Sequence, residues 1–209
     1  MQVRNLLTSA MMAMVVPVHA QDAMPHQPVA TEALVGRVCA ACHGLDGNSE
    51  RPGVPSLAGQ IEPYLERQLH AFAAQGGQRA NGVMGAIAVN LSADEMRRVS
   101  GYFARQPLQP IRLVDTPRRS RADGQRIYLS GLAKKNVASC ASCHGTSGNG
   151  LTEMFPRLAG QHASYIAEQL RHFRAGSRTS DPGAMMRIVA ARMTDSEIGA
   201  VSNYVARLR

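Results

Sequence analysis

The sequence predicts an all-α protein made of two tandem helical domains, and three observations carry that expectation. The chain repeats itself. Leu57-Ala58-Gly59-Gln60 returns as Leu158-Ala159-Gly160-Gln161, and Tyr64, Gln68, Leu69 and Phe72 return as Tyr165, Gln169, Leu170 and Phe173, all at a shift of 101 residues. Farther on, Val99 to Arg105 matches Val201 to Arg207 at a shift of 102, so one residue has been inserted between. Each copy spans about 90 to 100 residues, a common size for one small domain. Apolar residues recur at helical spacing, and no stretch alternates as a strand would. Both copies also close on the same helix start: Ser92 is followed three residues later by Glu95, and Thr194 by Glu197, each ahead of an apolar run.

The elements follow in chain order. Residues 1–20 read as a secretory signal peptide: Arg4 precedes an apolar stretch from Leu6 to Val18, and Val18-His19-Ala20 offers small residues before Gln21. Thr8, Ser9 and Pro17 interrupt that stretch, which is short for a membrane span; an uncleaved anchor is the alternative. The first domain runs over 21–107. Thr31 is placed to cap a helix carrying Ala33, Leu34 and Val38, and Pro63 opens a second with Leu65, Leu69 and Phe72 on one face. Pro107, Pro110 and Pro117 mark a linker over 108–122. In the second domain, 123–209, Asp123 is placed to cap a helix carrying Ile127, Tyr128 and Leu129, and the region of His162 opens one carrying Ile166, Leu170 and Phe173.

All four cysteines fall in two copies of Cys-x-x-Cys-His: Cys39, Cys42 and His43, then Cys140, Cys143 and His144. The spacing suits covalent haem, because two thiols three positions apart can each form a thioether to a vinyl group while the adjacent imidazole reaches the iron. A zinc ribbon brings its cysteine pairs within about twenty residues, and a redox dithiol opens a helix after a strand; neither pattern is present. The expected cofactors are two covalently attached haem c groups. A small domain without tryptophan buries a modest core, so each porphyrin also serves as a packing surface. The glycine-rich stretches 44–53 and 145–150 suit loops around the cofactor edge, or ordinary surface loops.

The repeat also selects the sixth iron ligand. Met84 and Met186 stand seven residues before the matched Leu91 and Met193. The remaining histidines have no counterparts: His70 aligns with Arg171, His172 with Ala71 and His162 with Ile61, and His26 lies next to the expected cleavage site. The expected metal ligands are therefore His43 with Met84 and His144 with Met186, in glycine-containing loops before the last helices. Met185 is adjacent and stays an alternative in the second domain.

These residues carry a resemblance to tandem class I cytochrome c domains, specifically the cytochrome c4 family, over essentially the whole chain after the signal. The specific part is the Leu-Ala-Gly-Gln repeat, the Gln-Leu-x-x-Phe helices and the late methionines. The resemblance implies that Pro55 and Pro156, each twelve residues after its histidine, accept a hydrogen bond from the imidazole. It also implies that the first helix packs on the last at Tyr102 and Tyr204, and that the two haem edges lie close. One departure is that residues 78–83 before Met84 are fewer than their counterparts before Met186.

Histidine and methionine together saturate an iron and favour its ferrous form, which makes a carrier rather than an enzyme. The expected function is periplasmic electron transfer between a quinol-oxidising cytochrome complex and a terminal oxidase; the alternative is the haem-bearing subunit of a larger dehydrogenase, such as a flavin-containing sulfide dehydrogenase. An enzymatic two-haem reading needs an exchangeable iron ligand. Charge is lopsided: 21–110 holds seven Arg against eight acids, whereas 111–209 holds fifteen basic residues against seven acids. Arg118, Arg119, Arg121 and Lys134-Lys135 form the clusters. In a periplasm such a face meets an acidic redox protein or an anionic membrane surface rather than nucleic acid, unless it serves only solubility.

Overall fold

The computed structural model describes residues 30–74, 78–79, 81–113, 115 and 117–209. The expected signal peptide and His26 lie outside them. Among the described residues there are ten α-helices and no strand; the β-type pairing is confined to isolated bridges, of which Arg79 with Arg178 joins the two halves. The first half contains α1 (Thr31–Leu34), α2 (Ala40–His43), α3 (Glu62–Ala73), α4 (Gly82–Ala88) and α5 (Ala93–Ala104). The second contains α6 (Arg118–Ser130), α7 (Ala141–His144), α8 (Ala163–Ala175), α9 (Met185–Ala190) and α10 (Asp195–Val205). No described helix is long and apolar enough to cross a membrane.

Several starts differ from expectation. Thr31 is the first residue of α1 and caps nothing; its hydroxyl accepts from the Arg98 guanidinium at 3.1 Å. Asp123 lies inside α6 and pairs with Arg126, because the helix already begins at Arg118 behind Pro117, within the stretch expected to be linker. Proline fixes its own backbone for a helix entry and contributes no amide hydrogen, so it competes successfully with an aspartate six residues on. Both closing helices start as expected: Ser92 and Thr194 each accept from the amide of the acid three residues later, and Glu95 and Glu197 reach back to the cap amide.

Each half packs its first helix on its last. In the second half, Ile127, Tyr128, Ile198 and Val205 are almost wholly buried, each side chain contributing about 1.5–3 kcal/mol of apolar burial. Gly124 lets α6 touch α10 so closely that an added Cβ would lie 2.2 Å from the carbonyl oxygen of Ala200. In the first half, Leu34, Val35, Leu65, Val99 and Phe103 form the corresponding cluster.

The repeated glutamines fasten the halves. Gln60 Nε2 donates to the Arg157 carbonyl at 2.9 Å while Gln60 Oε1 accepts from the Arg157 amide at 2.9 Å. Gln161 does the same to Ser56, at 2.9 and 3.0 Å. His162 Nε2 bonds the Ser49 carbonyl at 2.8 Å, Arg67 the Glu153 carbonyl at 2.7 Å, and the Ser164 hydroxyl the Pro52 carbonyl.

Candidate cofactor site

The two Cys-x-x-Cys-His segments each wind into a helical turn. A three-residue spacing then puts both thiols of a pair on one face, with the histidine next to them. Cys39 ends a widened π-helical turn over Val35–Cys39, and Cys42 and His43 lie in α2; Cys140 precedes α7, which contains Cys143 and His144. Both turns stop on a glycine of positive φ, Gly44 at 78° and Gly145 at 81°, a conformation costly for any residue with a Cβ.

Each imidazole is buried and held by its proline. His43 Nδ1 lies 2.9 Å from the Pro55 carbonyl oxygen, and His144 Nδ1 lies 2.9 Å from that of Pro156. A carbonyl only accepts, so Nδ1 carries the proton and Nε2 offers its lone pair. Burial pushes both histidines below the usual range and outweighs the proline bond, which acts the other way, so burial favours the neutral rings. No disulfide joins any of the four cysteines. Burial pushes Cys39 and Cys140 up to about 11 each, as an apolar setting does to a thiol. Among the described residues no group of three or more His, Cys, Asp or Glu is arranged to hold a metal ion.

A continuous cavity of about 550 Å³ connects the segments. Its walls bring together all eight expected site residues: Cys39, Cys42, His43 and Met84 from the first half, and Cys140, Cys143, His144 and Met186 from the second. Leu65, Phe72 and Val99 line one half, and Ile166, Phe173 and Val201 the other. The methionines sit in the first turns of α4 and α9 rather than in loops; the Asn81 side chain accepts from the Met84 amide at 2.9 Å and starts α4. Met185 also faces the cavity, while Met186 packs on the second core. The apolar lining and the two matched donor sets fit porphyrin, each set with a thiol pair and a neutral imidazole to one side and a thioether sulfur available.

The sequence reading missed Arg79 and Arg178, both buried and both lining the cavity. Arg79 donates to Tyr165 at 2.9 Å and Gln169 at 2.7 Å in the other half, and to Gln68 at 3.3 Å. Arg178 returns the exchange to Tyr64 and Gln68, both at 3.0 Å. Each guanidinium stacks 4.3 Å over its own Phe, Phe72 or Phe173. Neither has a described carboxylate in ion-pair range, although a buried cation is costly without an anion. Burial alone pushes the Tyr64 phenol up, but the Arg178 and Arg79 charges outweigh it and the net shift is downward. The seam thus suits carboxylates such as porphyrin propionates. The two arginines are 99 residues apart, off the 101-residue register, which hid the pairing.

The other histidines occupy different places. His70 and His172 sit near Glu66 and Glu168, at 3.8 and 3.9 Å, on partly exposed helix faces. Of the expected basic patch, Lys134 is exposed, but Lys135 is engaged by Glu197 at 2.7 Å.

The Cytochrome c family model matches residues 29–105 and 122–209. The chain is 41% identical to cytochrome c4 of Thiocapsa roseopersicina, over 87% of this chain and 92% of the relative. It is 36% identical to the thiosulfate dehydrogenase electron acceptor of Stutzerimonas stutzeri (strain A1501), over 81% of this chain and 78% of the relative. The crystal structure of reduced recombinant cytochrome c4 from Pseudomonas stutzeri superimposes with a TM-score of 0.78 at 34% identity, covering 86% of this chain and 97% of that one.

Proposed function

The chain belongs to the cytochrome c4 family, whose members are electron-transfer cytochromes with covalent haem, and on that premise we propose that it is a two-haem periplasmic carrier. One observation carries the reading: each half presents the same set, a thiol pair, a proline-held histidine and a methionine, around one shared apolar cavity. When bound, each haem supplies one-electron iron chemistry. Cys39 and Cys42, and Cys140 and Cys143, would anchor it covalently. His43 and His144 would offer Nε2 to the iron and Met84 and Met186 their thioether sulfurs, a ligand set that would leave no site for a substrate and would raise the potential. The two domains are 21–107 and, with α6 kept whole, 118–209. The aliphatic and aromatic walls exclude water and lower the local dielectric.

The donor is a quinol-oxidising cytochrome complex and the acceptor a terminal oxidase, met through the basic second half. The likeness to a thiosulfate dehydrogenase electron acceptor favours a second reading, in which the chain accepts electrons from a dehydrogenase. Purification of the native protein separates them, since a carrier runs alone and a subunit brings its enzyme.

Visible spectroscopy with redox titration tests the ligand set. Met84→Ala and Met186→Ala are each expected to keep both haems covalently bound while one iron loses its methionine-to-iron band and admits cyanide. If Met185→Ala loses that band and Met186→Ala keeps it, the second assignment is off by one residue.

A further inference from the structure

The peptide group that holds each histidine is itself held from the other half. The Pro55 carbonyl accepts from His43, and the amide at the other end of the same peptide unit, that of Ser56, donates to Gln161 Oε1 at 3.0 Å. The mirror chain runs from His144 to the Pro156 carbonyl, then from the Arg157 amide to Gln60 Oε1 at 2.9 Å. Gln60, Gln161 and Ser56 are buried, so water does not substitute for these bonds. Each glutamine oxygen also accepts from the amide that follows it, Ile61 at 3.0 Å and His162 at 3.1 Å, which fixes the side chain's orientation.

We infer that Gln161 and Gln60 are positioning residues acting crosswise: Gln161 tunes the histidine of the first half, and Gln60 the histidine of the second. Hydrogen bonds in series polarise one another in a low-dielectric interior. An amide that donates to glutamine makes its own carbonyl a stronger acceptor, and a stronger bond at Nδ1 makes the imidazole a more basic ligand. A more basic ligand favours the ferric state. Loss of Gln161 therefore raises the potential of the haem held by His43, and loss of Gln60 raises that of the haem held by His144. The seam that docks the halves is thereby part of each half's redox setting.

This rests on His43 and His144 being the axial ligands, and the test separates the two ideas. In the intact two-haem protein, Gln161→Met and Gln60→Met are compared by NMR, which follows each haem through a redox titration and each ring Nδ1–H in the reduced state. Each variant is expected to move the histidine signal of the opposite half and to shift that haem's ferric–ferrous equilibrium toward ferrous by about two- to tenfold. Gln161→Glu, which keeps an accepting oxygen, is expected to shift the first haem the other way. Shifts confined to the variant's own half, or equal at both haems, overturn the relay. Absence of haem-bound ring signals from His43 and His144 overturns the ligation reading beneath it.

Discussion

The halves differ most at their first helices and least at the candidate cofactor site. In the second half, α6 runs thirteen residues without a break and is followed by the loop 131–139, closed by a bridge between Leu132 and Val137, before the cysteines begin. In the first, the four residues of α1 pass straight into the π-helical turn that ends at Cys39. The second cluster contains fourteen buried described residues and the first five, so α6 has far more apolar surface to cover. The proline-held histidines, the seam glutamines and the capping boxes are nevertheless matched in kind. After duplication, the proline-held histidines and the seam glutamines stayed in register, while the first helices, which serve packing, diverged.

Breaking the second half's first helix should have the largest effect. Gly124→Val is expected to force α6 off α10 and to destabilise the second half by about 3 kcal/mol or more, since overpacking against a backbone carbonyl has no side chain to relax. Thermal unfolding, with hydrogen exchange to locate the loss, measures it. Little change would mean that the crossing is looser than the contact implies.

A smaller difference lies in charge. Lys135 reaches Glu197 at 2.7 Å, tying the loop 131–139 to α10, and the first half has no equivalent lysine. Burial pushes Glu197 up, but the Lys135 and Thr194 bonds prevail and its net shift is downward. A depressed carboxylate stabilises above its unfolded pKa and loses that stabilisation as pH falls through the folded value. Lys135→Gln is expected to lose less than about 1 kcal/mol near pH 7, given the partial exposure, and nothing further in acid. Denaturant titrations at pH 7 and in the acid range test both. In the first half, Gly36 lies in the π-helical turn with open space around it, so Gly36→Ala should stabilise by about 0.5–1 kcal/mol, opposite in sign to the change at Gly124.

Most of the helical plan was legible because a 3.6-residue period and a capping box are local signals. Ser92 and Thr194 are the proof, each needing only the acid three residues on. The start of α6 was not, since Asp123 offered a cap and Pro117 won from outside the periodic run. At the site, the cysteines, histidines and methionines could be read from motif and repeat. Arg79 and Arg178 could not, because their meaning is a meeting across the seam between residues whose repeat register had slipped.

Ser56 and Arg157 occupy matching positions in the repeat and share no side-chain chemistry, yet each gives the opposite glutamine the same two main-chain bonds. An interface read through main-chain atoms places selection on one partner only. Across related sequences, the glutamines should stay fixed while the residues they grip vary freely, and a search for correlated substitutions would pass over this contact even though it joins the halves.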